Sequence, residues 1–477
     1  MSRILVIAII FIALALRLIN LNYNSPFNDE AIYVVIGTDG IYNNDWATLD
    51  AFTWMAGSPF AYPVVSAFLY KIGGLETVRF GNVVFGILTI YIAALTASLF
   101  RPKKEKKTTF LITLSLLAFM PISFYISRLA TYDAPSFLFI FLGLYLLLKN
   151  FTDKPAKNEY YLLSAISIFM AFLVKYLSVI YLFFYILLAI LYLTKNDPKL
   201  LMKTNWFYYF FVPVVLLFGF YGITNFNGLY TYITTVSAAE ILSIGEKVQM
   251  LINEYVFVLP FWLVSLVYIF RKISKKTAFV FLLGAGTILV FHFAYAGAPS
   301  YDKHIFLSGT FIAMTIGIAL PNMYSALKLA KKTKAFLKGN FIGFVAFLFI
   351  YLVSELPAIN SRWLNIDKPL HFLADQVKKG DVILAESGDA MTLALYDKVR
   401  PKDVVTFDYI DYLGNETEEA YTQAVEDGYF AYIELEEHYV PKLERVVELN
   451  GLIMDVIDEN YMQIYKEDGV LIYQRKF

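Results

Sequence analysis

About eleven apolar runs, beginning near Ile4, Thr77, Thr109, Ala134, Tyr160, Tyr176, Asn205, Glu254, Thr277, His304 and Gly339, are each long enough to cross a hydrocarbon core. Lipid offers no partners to backbone N–H and C=O groups, so a chain built this way folds as a helical bundle. The composition agrees, with 58% hydrophobic and 17% charged residues and a mean hydropathy of +0.57. A water-soluble enzyme is excluded. Aromatic residues, at 18%, suit interfacial belts and packed helix seams. The chain has no Cys, which removes disulfides, thiolate metal sites and a Cys nucleophile and argues against redox chemistry.

The formal net charge of zero hides a split along the chain. Between Asn365 and Phe477 lie 11 of the 40 Lys and Arg but 24 of the 40 Asp and Glu. Pro357 ends the last apolar run, and the pattern predicts a membrane domain over 1–360 and a soluble domain over 361–477. Basic clusters fall in every second gap: Arg101 to Lys107, Lys149 to Lys157, Lys195 to Lys203, Arg271 to Lys276, and Lys328 to Lys338. By the positive-inside rule these gaps are cytoplasmic, which puts the N-terminus inside and the acidic tail outside. Arg3 before the first apolar run resembles a signal peptide, but no small-x-small cleavage site follows and Arg17 lies within the run, so a retained helix is expected.

The tail alternates helix and strand patterns. Strands are predicted at Asp381 to Glu386, Val404 to Tyr409 and Phe430 to Glu434, with helices at Leu370 to Lys379, Thr417 to Glu426 and Val440 to Leu449. Asp468-Gly469 between two apolar runs predicts a closing hairpin. The expectation is a polytopic α-helical membrane protein with a small extracytoplasmic α/β domain. The tail has no phosphate-binding Gly loop, His-rich metal cluster or Gly-x-Ser-x-Gly elbow, and a structural or acceptor-facing role suits it.

Outside the basic loops, the ionisable groups gather at one depth. Asp29 and Glu30 follow the first run, in a long loop that also holds Trp46 and Trp54; Arg79 opens the second run. Arg128 and Asp133 bracket the start of the fourth, Lys175 separates the fifth from the sixth, and Asp302, Lys303 and His304 open the tenth. The run interiors are nearly free of charge, unlike those of a transporter with a midplane ion site. Carboxylates placed this way suit general-base or metal-binding work, and the cations suit a phosphate or pyrophosphate. The structural alternatives are solvated loop acids and snorkelling bases. His292 reads as a packing residue, and His371 and His438 as ordinary tail residues; Asn415-Glu416-Thr417 matches a glycosylation acceptor pattern.

Arg17-Leu18-Ile19-Asn20-Leu21 and Asn28-Asp29-Glu30-Ala31-Ile32-Tyr33 together resemble the opening of GT-C superfamily glycosyltransferases of the protein O-mannosyltransferase and aminoarabinose transferase type. Ser58 to Pro63, Gly73 to Phe80, Arg128 to Asp133 and Lys175-Tyr176 extend the resemblance through the membrane part. It departs at Met55-Ala56-Gly57-Ser58, which has no acid where the aminoarabinose-type enzymes carry one, and no acceptor-binding repeats are appended.

The resemblance implies transfer of a sugar from a polyprenyl-phosphate donor to an acceptor hydroxyl of a lipid, glycan or protein on the outer face of a prokaryotic plasma membrane, with inversion. It implies Asp29 as catalytic base, with Glu30 and Asp133 orienting the acceptor or holding an optional divalent cation. Arg79, Arg128, Lys175, Lys303 and His304 would hold the donor phosphate. No cofactor is required by the residues, and no nucleic acid partner is expected. A nucleotide sugar is a poor donor for outward-facing acids, and no Asp-x-Asp occurs before Asn365. The rivals are a lipid-linked sugar flippase or exporter, and a membrane scaffold whose tail binds an envelope partner.

Overall fold

The computed structural model describes residues 2–45, 60–152, 155–194, 198–235, 243–294, 301–326, 331–407, 410–437 and 444–476. Trp46, Trp54, the acid-free stretch Met55 to Ser58 and His438 lie outside these. The chain divides into two compact units: residues 1–21, 51–61 and 79–356 in one, and 22–50, 62–78 and 357–477 in the other. Residues 22–50 and 62–78 thus group with the tail.

The first unit is helical. Each of the eleven apolar runs falls on a helix, yet the structure holds, among the described residues, seven helices long and apolar enough to cross a membrane, or up to nine if each of two bent pairs is one span. The bends have sequence causes. Lys103–Phe119 and Pro121–Arg128 meet at 66° because Met120, preceding a proline, takes an extended conformation. Ile244–Tyr255 and Leu259–Ile273 meet at 87°, with Pro260 at the start of the second piece. Ala61–Leu99 bends at Gly73-Gly74, where Gly74 has φ +69°, a conformation open to glycine without steric cost.

The second unit carries a five-stranded sheet in the order β2-β1-β3-β5-β4, from Ile383–Ala385 (β1), Val404–Thr406 (β2), Tyr432–Glu436 (β3), Tyr461–Glu467 (β4) and Val470–Arg475 (β5). β1 pairs in parallel with β2 and β3, while β5 runs antiparallel to β3 and β4. The hairpin turns at Asp468-Gly469 with positive φ at both, as the sequence predicts. The helices Asp367–Gln376 and Glu418–Glu426 lie near their expected places, Glu444–Asn460 runs well past the expected end at Leu449, and Gly388–Ala394 is an additional one. Ile433 and Leu435 of β3 join Ala420, Ala424, Leu449 and Ile453 in the core.

On the opposite face of β3, Glu434 is fully buried and its Oε2 accepts a hydrogen bond from Ser387 N at 3.1 Å, while Oε1 has no hydrogen-bond partner among the described residues. Burial, reinforced by Glu436 and Glu386, pushes its carboxyl well above the usual range. An acid raised by folding binds its proton more tightly in the native state, so its stability contribution is full below the unfolded value and is lost as pH rises through the folded one. Glu434→Gln is therefore expected to leave thermal unfolding near pH 4 unchanged and to raise Tm at pH 7.5, each pKa unit of the shift being worth about 1.4 kcal/mol. Thermal scans at the two pH values check this; an equal change at both would exclude titration as the cause.

Candidate functional site

In the first unit, Asn82 of the Ala61–Leu99 helix donates to the carbonyl oxygens of Leu129 and Thr131, the latter at 2.7 Å. This holds the turn that delivers Asp133 to the first position of Asp133–Thr152, where a carboxylate faces the positive end of the helix dipole. Lys175 stands where Asn158–Val174 ends; its φ of −152° and ψ of 117° break the helix before the 3₁₀ turn Tyr176–Val179. Its Nζ donates to Asp133 Oδ1 at 2.6 Å, and Thr131 Oγ1 donates to Oδ2 at 3.0 Å. The ammonium also lies 4.1 Å from the centroid of the Tyr132 ring. Both ions are buried, so their attraction is weakly screened, and the added hydrogen bond helps offset their desolvation.

A histidine pair extends this centre. His304 Nε2 is 3.9 Å from Asp133 Oδ1, beyond hydrogen-bond reach, while its Nδ1 lies 2.8 Å from His292 Nε2. A hydrogen bond between two imidazoles needs one donor and one acceptor, so the pair carries at most one extra proton. Lys247 Nζ donates to the His292 carbonyl at 2.8 Å, and buried Lys303 lies within electrostatic range of Asp133. A small cavity lined by Lys175, His304, Phe137, Ile140, Tyr181 and Ile288 adjoins the cluster. Sequence reasoning placed His292 among packing residues. Nothing in the linear pattern brings the end of Lys275–Ala294 against His304; only the packing of the two helices does.

Arg79 and Arg128 are buried in the same unit but fasten backbone. Arg79 NH1 donates to Leu21 O at 2.7 Å, and Arg128 NH2 donates to Ile19 O at 3.0 Å and Asn20 O at 2.5 Å. The segment after Ser2–Leu18, in which Asn20 takes a positive φ, is thus held by two guanidinium groups. Arg17, which lies within the first apolar run, donates to Ala118 O at 3.1 Å and Ser123 Oγ at 3.1 Å, bridging the bend at Pro121.

Asp29 and Glu30 belong to the second unit, in the first turn of Asn28–Tyr42. Glu30 is fully buried and its Oε2 accepts from Phe27 N at 3.0 Å, so this carboxylate caps its own helix. Asp29 is partly exposed. Among the described residues no three of His, Asp and Glu come together as a metal-holding group.

Residues 58–221 match the family described as dolichyl-phosphate-mannose-protein mannosyltransferase. No curated protein sequence matches the chain significantly. Among solved structures, ArnT from Cupriavidus metallidurans bound to undecaprenyl phosphate is similar, with a TM-score of 0.61, 13% identity, and coverage of 98% of this chain and 97% of that one. The Archaeoglobus fulgidus oligosaccharyltransferase tethered to an acceptor peptide gives a TM-score of 0.58, 14% identity, and coverage of 99% and 74%. The mycobacterial arabinofuranosyltransferase AftD gives 0.55, 11% identity, and coverage of 98% and 41%. At such identities the likeness is one of architecture. By that architecture, over nearly its whole length, the chain shares the fold of these three solved structures.

Proposed function

We propose that this protein transfers a sugar from a polyprenyl-phosphate-linked donor to an acceptor hydroxyl, inverting the anomeric carbon. The observation that carries this reading is the likeness, over 98% of the chain, to an ArnT structure holding undecaprenyl phosphate. The charge inventory supports it. In such a transfer the acceptor oxygen attacks the anomeric carbon while the carbon–oxygen bond to phosphate breaks, its electron pair leaving with the phosphate. A phosphate monoester leaves without a general acid, so the protein supplies cations for the developing charge and a base for the hydroxyl proton.

Asp29 is assigned the base, and Glu30 the stiffening of its turn. Asp133 orients Lys175 and lies beside His304. Lys175, Lys303 and His304 supply positive or hydrogen-bonding groups for the donor phosphate, and Arg79 and Arg128 add positive charge while holding the segment after Leu18. The reading keeps the chain in a prokaryotic plasma membrane, crossing eleven times with the N-terminus inside and the tail outside.

The test is transfer by the purified full-length protein in vesicles, using polyprenyl-phosphate hexoses and pentoses labelled in the sugar. Free polyprenyl phosphate should appear as label moves to an acceptor lipid, glycan or peptide. Movement of intact donor across the bilayer without cleavage would favour a flippase, and neither outcome with any donor would overturn the assignment.

A further inference from the structure

The tail has no catalytic motif, yet it grips the helix that carries Asp29 and Glu30. All the contacts lie within the second unit. Just before that helix, Asn24 Nδ2 donates to Asn360 O at 3.1 Å and Trp363 O at 2.9 Å. Trp363 Nε1 donates to Ser25 O at 3.0 Å, and its ring packs 5.3 Å from Phe27 and 5.7 Å from Tyr23, centroid to centroid. Ser25 Oγ donates to Leu364 O at 3.2 Å and accepts from Ile366 N at 3.2 Å. The strap from Asn24 to Phe27 is thereby bonded to 360–366 through both backbone and side chains, two residues before Asp29.

The helix is held at two more levels. Near its C-terminal end Asp39, itself buried, accepts hydrogen bonds from Tyr396 Oη and from Asn43 Nδ2 at 2.8 Å. In the middle Ser66 Oγ donates to Tyr33 O at 3.1 Å, and a Cβ added at Gly37 would stand 1.9 Å from Pro63 O, a contact only glycine permits. The helix is thus held just before its first turn, in its middle and near its end, the first and last of these by the tail. These contacts define the position of the first turn, and a base is effective only when its position is set to within about 1 Å.

We propose that the tail domain is a positioning device for the Asn28–Tyr42 helix, with Trp363 and Tyr396 as positioning residues that act on turnover through Asp29. The inference rests on the reading of Asp29 as base and assigns the tail its task in that reaction. Removing the clamp contacts would leave the donor site intact and let the first turn wander, so kcat falls while the donor KM stays.

The experiment is the W363F/Y396F variant of the full-length protein, which keeps an aromatic ring at each position, trims the indole to a phenyl and deletes the indole N–H and phenol O–H. Amide hydrogen exchange across residues 27–42 should quicken, with thermal unfolding close to wild type, and kcat should drop about tenfold or more at unchanged donor KM. Y396F alone should show the exchange change confined to the Asp39 end. Wild-type exchange over this helix overturns the clamp whatever the activity. Faster exchange with wild-type kcat overturns its role in turnover. Should the base reading fail, Asp29→Asn remains active, an outcome separate from the exchange measurement.

Discussion

Asp29→Asn is expected to lose about 100-fold to 10,000-fold in turnover, the range typical of a lost general base, while donor binding stays near wild type. The amide keeps the shape and the hydrogen-bonding reach of the side chain but cannot take the hydroxyl proton. Asp29→Glu keeps the charge and moves it by about one methylene, and a displacement of about 1 Å costs about 100-fold, so this variant is expected to be poorly active too. Glu30→Gln acts differently. Its carboxylate caps the helix at Phe27 N, and the amide oxygen preserves an acceptor there, so the loss should be smaller than for Asp29→Asn. Labelled-sugar transfer in vesicles measures all three, with thermal unfolding as the folding control. A folded Asp29→Asn protein retaining more than about a tenth of the wild-type rate would make Asp133 the leading base candidate.

The buried pair of Asp133 and Lys175 gives the second large effect. Lys175→Met leaves the carboxylate without its ammonium in the interior, and breaking a buried pair from one side costs about 3–5 kcal/mol. The double variant Asp133→Asn/Lys175→Met removes both charges and should recover most of that loss, because the remaining amide is neutral and keeps Thr131 as a donor. Denaturation of the two variants and the wild type in one detergent reads the difference. Transfer should fall in both, because each lacks the ammonium assigned to the donor phosphate. A single variant as stable as wild type would show that the pair is not what holds this corner together. Wild-type donor KM in the double variant would remove Lys175 from the phosphate site.

The helical class was legible because apolar runs of membrane-spanning length have one structural solution in lipid. The tail's strands and hairpin were legible because a period of two and an Asp-Gly turn are local signals, and the Gly-Gly and proline bends follow from backbone sterics alone. Among the described residues seven helices, or up to nine with each bent pair as one span, meet the spanning criterion, because two runs are bent and Ser2–Leu18 and Asn158–Val174 are each 17 residues long.

Partner choice was not legible. Asp29 and Glu30 are adjacent in sequence, yet one is partly exposed and the other is spent on Phe27 N. Arg79 and Lys175 belong to the same cation set on paper; in the fold one fastens the Leu21 carbonyl and the other neutralises Asp133. His292 joined His304 through a helix crossing, and Asn24 met Trp363 across 339 residues of chain. By itself the sequence determined where apolar helices and local turns fall, because hydrophobic periodicity and backbone sterics act within a few residues. Only the tertiary structure decided which buried charge meets which partner, because a polar group taken out of water must be paired by whatever the packing brings within about 3 Å.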